Sequence, residues 1–208
     1  MDIVEGLKYP MNDKNWVKKI IIGGILCIIP IVNFVVFGYI VDTIKYVVNG
    51  QKNIPEWENW GNKFIKGLCC YIIYLVYIII PTILCIIGLS MYDMGADNII
   101  LSLIGLSCAV IAMVVAFIIG FILPMAIANY AVKDRISAAF EFNEIIHRIK
   151  SVAGSYILSW VVCMGLSMII GIVVLIPIVG WIIYIFMAFY IYLVMAYYFG
   201  TLYVESSN

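Results

Sequence analysis

Four stretches of the chain contain no Asp, Glu, Lys, Arg or His: Ile20–Val41, Gly67–Tyr92, Asn98–Val132 and Ser151–Val204. A helix crossing the hydrocarbon core of a bilayer needs about 20 consecutive apolar residues, and every stretch reaches that length. They are rich in Ile, Val and Tyr, which locally favours strands. Length decides otherwise. An outer-membrane strand needs only about 10 residues and alternates polar with apolar, and no such alternation occurs here. The expected fold is all-α, a polytopic helical bundle embedded in a cell membrane. Charged residues make up only 12% of the chain, about half of what a soluble domain carries on its surface.

The positive charges set the expected topology. All twelve Lys and Arg residues fall in three patches: Lys8, Lys14, Lys18 and Lys19; then Lys45, Lys52, Lys63 and Lys66; then Lys133, Arg135, Arg148 and Lys150. Basic residues prefer the cytoplasmic side of a membrane. If Ile20–Val41 were a single span kinked at Pro30, the first patch would lie opposite the other two. If that run enters and returns, all three patches share one side, and both termini are cytoplasmic. The second arrangement satisfies the rule better.

Two breaks fit this reading. Pro30 lies inside Ile29-Pro30-Ile31-Val32-Asn33, and the last run repeats the string as Ile176-Pro177-Ile178-Val179-Gly180. Proline removes a helix hydrogen bond and clashes with the preceding turn. The expectation is a single membrane domain, 1–208, of about six membrane helices in three hairpins near 15–48, 67–132 and 152–203. The first hairpin is too short for a full bilayer and is expected to be shallow or re-entrant. Segments 1–14, 49–66 and 133–151 are expected to be cytoplasmic or interfacial. Trp16, Trp57 and Trp60 are expected as interface anchors. Ile136–Lys150 reads as an amphipathic helix with Ala138, Ala139, Phe142, Ile145, Ile146 and Ile149 on one face, which adds Phe142 and Ile146 as anchors. The N-terminus lacks the pattern of a cleaved signal, so the first apolar segment is expected to be retained.

Several strings are shared with a known group. Lys8-Tyr9-Pro10, Lys14-Asn15-Trp16, Ile29-Pro30-Ile31-Val32-Asn33-Phe34, Gly38-Tyr39, Asn49-Gly50 and Pro55-Glu56-Trp57 with Trp60 resemble the domain-of-unknown-function family 4013. The resemblance implies a prokaryotic multi-pass membrane protein. It implies no activity and no catalytic residues.

Chemistry is sparse. No ionisable residue interrupts the four runs, so intramembrane proton relays are not expected. Asp42 sits one residue past the first run and is expected to be solvated beside Lys45. Glu144-x-x-His147 has half the spacing of a carboxylate-bridged metal site, but no second unit exists. Asp93 and Asp97 are too few ligands for a hard cation. The six cysteines lie within apolar runs without C-x-x-C spacing and read as small buried hydrophobes. No phosphate-loop, serine-elbow or zinc-protease string is present. A cytoplasmic site drawn from Asp42, Glu56 and His147 is the weakest reading. No catalytic residue, metal or cofactor is therefore expected. The polar residues of interest are Asn33 and Asn129; with Pro30, Pro177 and Gly180 they are the candidate cavity or helix-break residues.

The expected partners are membrane lipids, other membrane proteins or a second copy of the chain. Nucleic acid is not expected, because net charge is zero and the basic residues sit beside apolar runs, which suits lipid headgroups better. The expected function is non-enzymatic binding of partners or lipids; the alternative is transport of a small neutral solute or lipid.

Overall fold

A computed structural model describes residues 2–95 and 98–207. Among these residues all regular structure is helical: α1 (Ile3–Lys8), α2 (Trp16–Ile28), α3 (Asn33–Val48), α4 (Trp60–Met94), α5 (Ile99–Lys133), α6 (Phe142–Ser151), α7 (Ala153–Val173) and α8 (Val179–Glu205), with short 3-10 turns at Tyr9–Asn12 and Ile136–Phe140. The chain divides into two compact units. One holds Met1–Tyr71 and Met125–Asn208, the other Ile72–Pro124.

Among the described residues four helices, α4, α5, α7 and α8, are long and apolar enough to cross a membrane; α2 and α3, expected as the short first hairpin, are not among them. The run Ile20–Val41 is not one kinked helix. It is split at Ile29–Val32 into α2 and α3, of 13 and 16 residues. At 1.5 Å per residue these are about 20 and 24 Å long, short of a hydrocarbon core of about 30 Å.

In the larger unit α8 is the common support. Helices α1, α2, α3 and α7 all pack on it. Glycines make the contacts close. A Cβ at Gly23 would meet the Phe189 ring at 2.3 Å, and one at Gly24 would meet Phe186 at 2.3 Å. The paired positions fix direction. Trp16 lies edge-on to Tyr190 and Gly24 lies under Phe186, so α2 runs antiparallel to α8. Asn33 and Phe37 face Tyr184 and Ala188, while Val47 meets Gly200, so α3 runs parallel to α8. Gly180 abuts Val173, and Tyr156 packs on Phe199 at 5.4 Å, so α7 is antiparallel to it.

The closest backbone approach joins α3 to the start of α4. A Cβ at Gly38 would lie 1.7 Å from the Lys63 carbonyl oxygen, and one at Gly67 would lie 1.7 Å from that of Phe34. Only glycine fits at each position, as in small-residue helix crossings within membranes. The smaller unit uses the same device. Its portions of α4 and α5 meet antiparallel at Gly88 and Gly105, where a Cβ would lie 2.7 Å from Ala109 N and 2.4 Å from Tyr92 N. Asn98 caps α5, its Oδ1 accepting from the Ile100 and Leu101 amides.

The expected amphipathic helix over Ile136–Lys150 is not continuous. A 3-10 turn ends at Phe140, Glu141 adopts φ −78°, ψ 66°, and α6 begins at Phe142. The break divides the expected apolar face. Ala138, Ala139, Ile145 and Ile149 are buried, whereas Phe142 and Ile146 are exposed.

Gly67→Ala is expected to lower thermal stability in detergent by about 2 kcal/mol or more, as an overpacked close contact does. Gly61, with open space around it, serves as the control: Gly61→Ala should be neutral or stabilising by up to ~1 kcal/mol. Equal unfolding midpoints for the two variants would show that the α3–α4 approach is not tight.

Candidate functional site

The two I-P-I-V strings build the same turn. In the first, Val32 N–H donates to Pro30 O at 2.8 Å and Asn33 N–H to Ile29 O at 3.1 Å. In the second, Val179 N–H donates to Pro177 O at 2.7 Å and Gly180 N–H to Ile176 O at 3.0 Å. The central isoleucines carry positive φ, 70° at Ile31 and 63° at Ile178. An i→i+2 bond around a residue with φ near +75° is the strained form of the γ-turn. Holding a β-branched residue there costs on the order of 1–3 kcal/mol. Both isoleucines are 68% exposed. Pro30 and Pro177 thus do equivalent jobs.

The turns differ at their fifth residue. Gly180 lets α8 approach α7 so closely that a Cβ would lie 2.0 Å from Val173 O. The first string has Asn33 there, whose Cβ forbids such an approach to Leu26, the residue equivalent to Val173. A cleft of about 380 Å³ opens beside it, lined by Cys27, Ile28, Asn33, Val36, Phe37, Tyr184, Ile185, Ala188 and Tyr192. Asn33 is the only amide in this lining, and its side chain has no hydrogen-bond partner among the described residues.

Asn129 is not brought to the cleft. It is fully buried, donates to Ala138 O at 2.9 Å and accepts from the Tyr203 hydroxyl at 3.0 Å. It therefore ties α5 to α8 and to the turn before α6. Of the expected anchors, Trp57 is spent on packing. It stacks on Tyr39 at 4.1 Å and its indole N–H donates to Lys19 O. Trp60 is exposed and donates to Trp57 O, and Trp16 is half-buried against Tyr190.

A buried charge network was not anticipated from the sequence. Lys19, at the start of the first apolar run, is buried with its ammonium 2.7 Å from Asp13 Oδ2, 2.6 Å from Glu56 Oε1 and 3.1 Å from Ile54 O. An ammonium has three donors, and three acceptors meet it. The flanking carbonyls are held too: Tyr9 donates to Asn53 O at 3.1 Å and Tyr39 to Pro55 O at 2.6 Å. The only sequence signal was position. Lys18 and Lys19 are adjacent, about 100° apart on a helix, so they point in different directions and only Lys19 is buried.

Asp42 is not solvated beside Lys45, as its position suggested. It is paired with Lys63 at 3.0 Å and Lys66 at 2.5 Å, while Lys45 pairs with Asp134. A further network joins α5, α6 and the end of α8. Lys133 pairs with Glu141 and Glu144, Arg148 donates twice to Glu144 Oε1, and the Arg148 guanidinium lies 4.0 Å over the Tyr203 ring. Burial alone would raise the Glu144 pKa, but hydrogen bonds from Lys133 and Arg148 outweigh it and hold the carboxyl down to about 2. With Glu144 so engaged and His147 exposed, the Glu144-x-x-His147 spacing assembles no ligand cluster. No group of three or more His, Cys, Asp or Glu fit for a metal occurs among the described residues. Asp97 lies outside the described residues.

The family described as "Protein of unknown function (DUF4013)" matches the chain over residues 22–204. The strings around Tyr9 and Trp16 precede that match. No curated protein and no solved structure matches the chain.

Lys19→Met leaves buried Asp13 without its cation and is expected to cost on the order of 3–5 kcal/mol, read as a lowered unfolding midpoint in detergent. Adding Asp13→Asn should recover part of the loss, and Lys18→Met should be near neutral. A Lys19→Met variant as stable as Lys18→Met would show that the network contributes nothing. Acid gives a second check. The depressed Glu144 carboxyl contributes stability that is complete above its ordinary pKa of 4.5 and is lost as pH falls toward about 2. Glu144→Gln should flatten that part of the stability–pH curve.

Proposed function

Because the chain belongs to the DUF4013 family, whose function is unknown, we propose its role from its architecture: a multi-pass membrane protein of three hairpins, the first re-entrant, that binds lipids or membrane partners without catalysing a reaction. The observation that carries the topology is the contact between Lys19 and Glu56 at 2.6 Å. Lys19 precedes the first apolar run and Glu56 follows it. A single span of that run would put about 30 Å of hydrocarbon between them. Lys45 with Asp134 links the second basic patch to the third in the same way. The Tyr198 hydroxyl donates to Ile3 O, and Arg148 donates to Ser206 and Ser207, which brings both ends of the chain into the same unit. One charged side then follows, cytoplasmic by the preference of basic residues.

Binding rather than catalysis is supported by how the acids are used. Asp13 and Asp42 are each neutralised by lysine, and no carboxylate lines the cleft. A transport reading rests on one observation, the same helix break at corresponding positions of two hairpins. Flux of a neutral solute into proteoliposomes that Asn33→Ala lowers would favour it.

Single cysteines introduced at positions 14, 52 and 150, all exposed, are expected to react with an impermeant maleimide from one face of sealed vesicles, and a cysteine at 178 from the other. Reaction of positions 14 and 52 from opposite faces would overturn the three-hairpin arrangement.

A further inference from the structure

We infer that the cleft beside Asn33 is a lipid site, holding one acyl chain of a membrane phospholipid with its ester group against the Asn33 amide. The inference rests on the membrane embedding proposed above.

The first observation is where the cleft lies. Two copies of one turn share string, hydrogen bonds and backbone angles. Gly180 brings the second copy close against Val173, and Asn33 stands at the matching position beside the cleft. The cleft thus lies beside the one position of the shared string at which the two turns differ, Asn33 against Gly180. The second observation is the lining. It is apolar apart from the Asn33 amide and the polar tips of Cys27, Tyr184 and Tyr192, and it has no formal charge. A volume near 380 Å³ lies within the range of small-molecule sites, which pair apolar walls with a few polar groups. An amide without a protein partner in such surroundings is costly unless an occupant satisfies it.

The third observation selects the occupant. The cleft opens onto surface that is apolar without a break. On α2 the exposed residues Val17, Ile21, Ile25 and Ile28 fall within one arc of about 100°, and Ile28 is also a wall of the cleft. On α8 the exposed Trp181, Ile182 and Ile183 lead to Tyr184. In a bilayer these faces are covered by acyl chains, so the molecule at the mouth is a lipid. Its ester carbonyl is the acceptor that the amide lacks.

Photolabelling the full chain in phosphatidylcholine vesicles tests this, with phosphatidylcholine carrying a diazirine in one acyl chain as the probe. Adducts are expected on Phe37 and Ala188 inside the cleft as well as on Ile21 and Ile25 outside it. Ala188→Phe, which fills the cleft, should abolish the Phe37 adduct and leave the Ile21 and Ile25 adducts unchanged. Asn33→Leu, which keeps the volume and removes the donor, should lower the Phe37 adduct about fivefold, the scale of one hydrogen bond. Strong adducts on Ile21 and Ile25 with none on Phe37 would overturn the lipid site while leaving the membrane reading intact. Absence of adducts at all four positions would overturn both. A Phe37 adduct that Asn33→Leu leaves unchanged would remove the amide from the site.

Discussion

One buried ammonium organises the larger unit. Lys19 meets two carboxylates and a backbone carbonyl, and each acceptor comes from a different place in the chain or a different kind of group. Asp13 belongs to the segment before α2, whereas Ile54 and Glu56 belong to the segment between α3 and α4. A charge taken out of water is tolerated only when such partners replace the solvent. The lysine therefore requires the two segments to be side by side. With Tyr9 and Tyr39 holding the neighbouring carbonyls, three successive carbonyl oxygens, those of Asn53, Ile54 and Pro55, are fixed from three elements. Trp57 then stacks on Tyr39 and Phe189 packs behind it. The doubling back of the chain between α2 and α3 is thus enforced from the polar end as well as at the turn.

Helical class and the breaks at Pro30 and Pro177 were legible in the sequence because both follow from one-dimensional signals, run length and proline. The same two signals divided Ile20–Val41 into two helices too short to span, as its bounding basic patches required. The continuous helix expected over Ile136–Lys150 is broken instead. Its apolar spacing is helical on both sides of Glu141, but Glu141 bonds Lys133 and Arg135 and its backbone leaves the helical region there. Periodicity cannot register a break at a residue that keeps the pattern.

The site was less legible still. Asn33 stood out as an amide in an apolar run, but Lys19 and Asp13 resembled any basic and acidic residues near a membrane boundary. Two of the three acceptors around Lys19, Ile54 O and Glu56, lie more than thirty residues from it. Asp42 shows the same limit. Its nearest base in sequence is Lys45, yet it pairs with Lys63 and Lys66, because α3 crosses the start of α4 through Gly38 and Gly67 and brings those lysines within reach.

The dependence of α2 and α3 on α8 bears on the order of assembly. Chains emerge from the ribosome N-terminus first, and α8 follows α2 and α3 by more than 130 residues. Gly23 and Gly24 have no aromatic rings to receive until Phe186 and Phe189 have been made, more than 160 residues later in the sequence. Until then α2 and α3 are held by their own packing, by Lys19 and its acceptors, and by the bonds of Tyr9 and Trp57 beside them. The polar knot serves as the provisional clasp, and the apolar packing that completes the unit closes over it once α8 has been made.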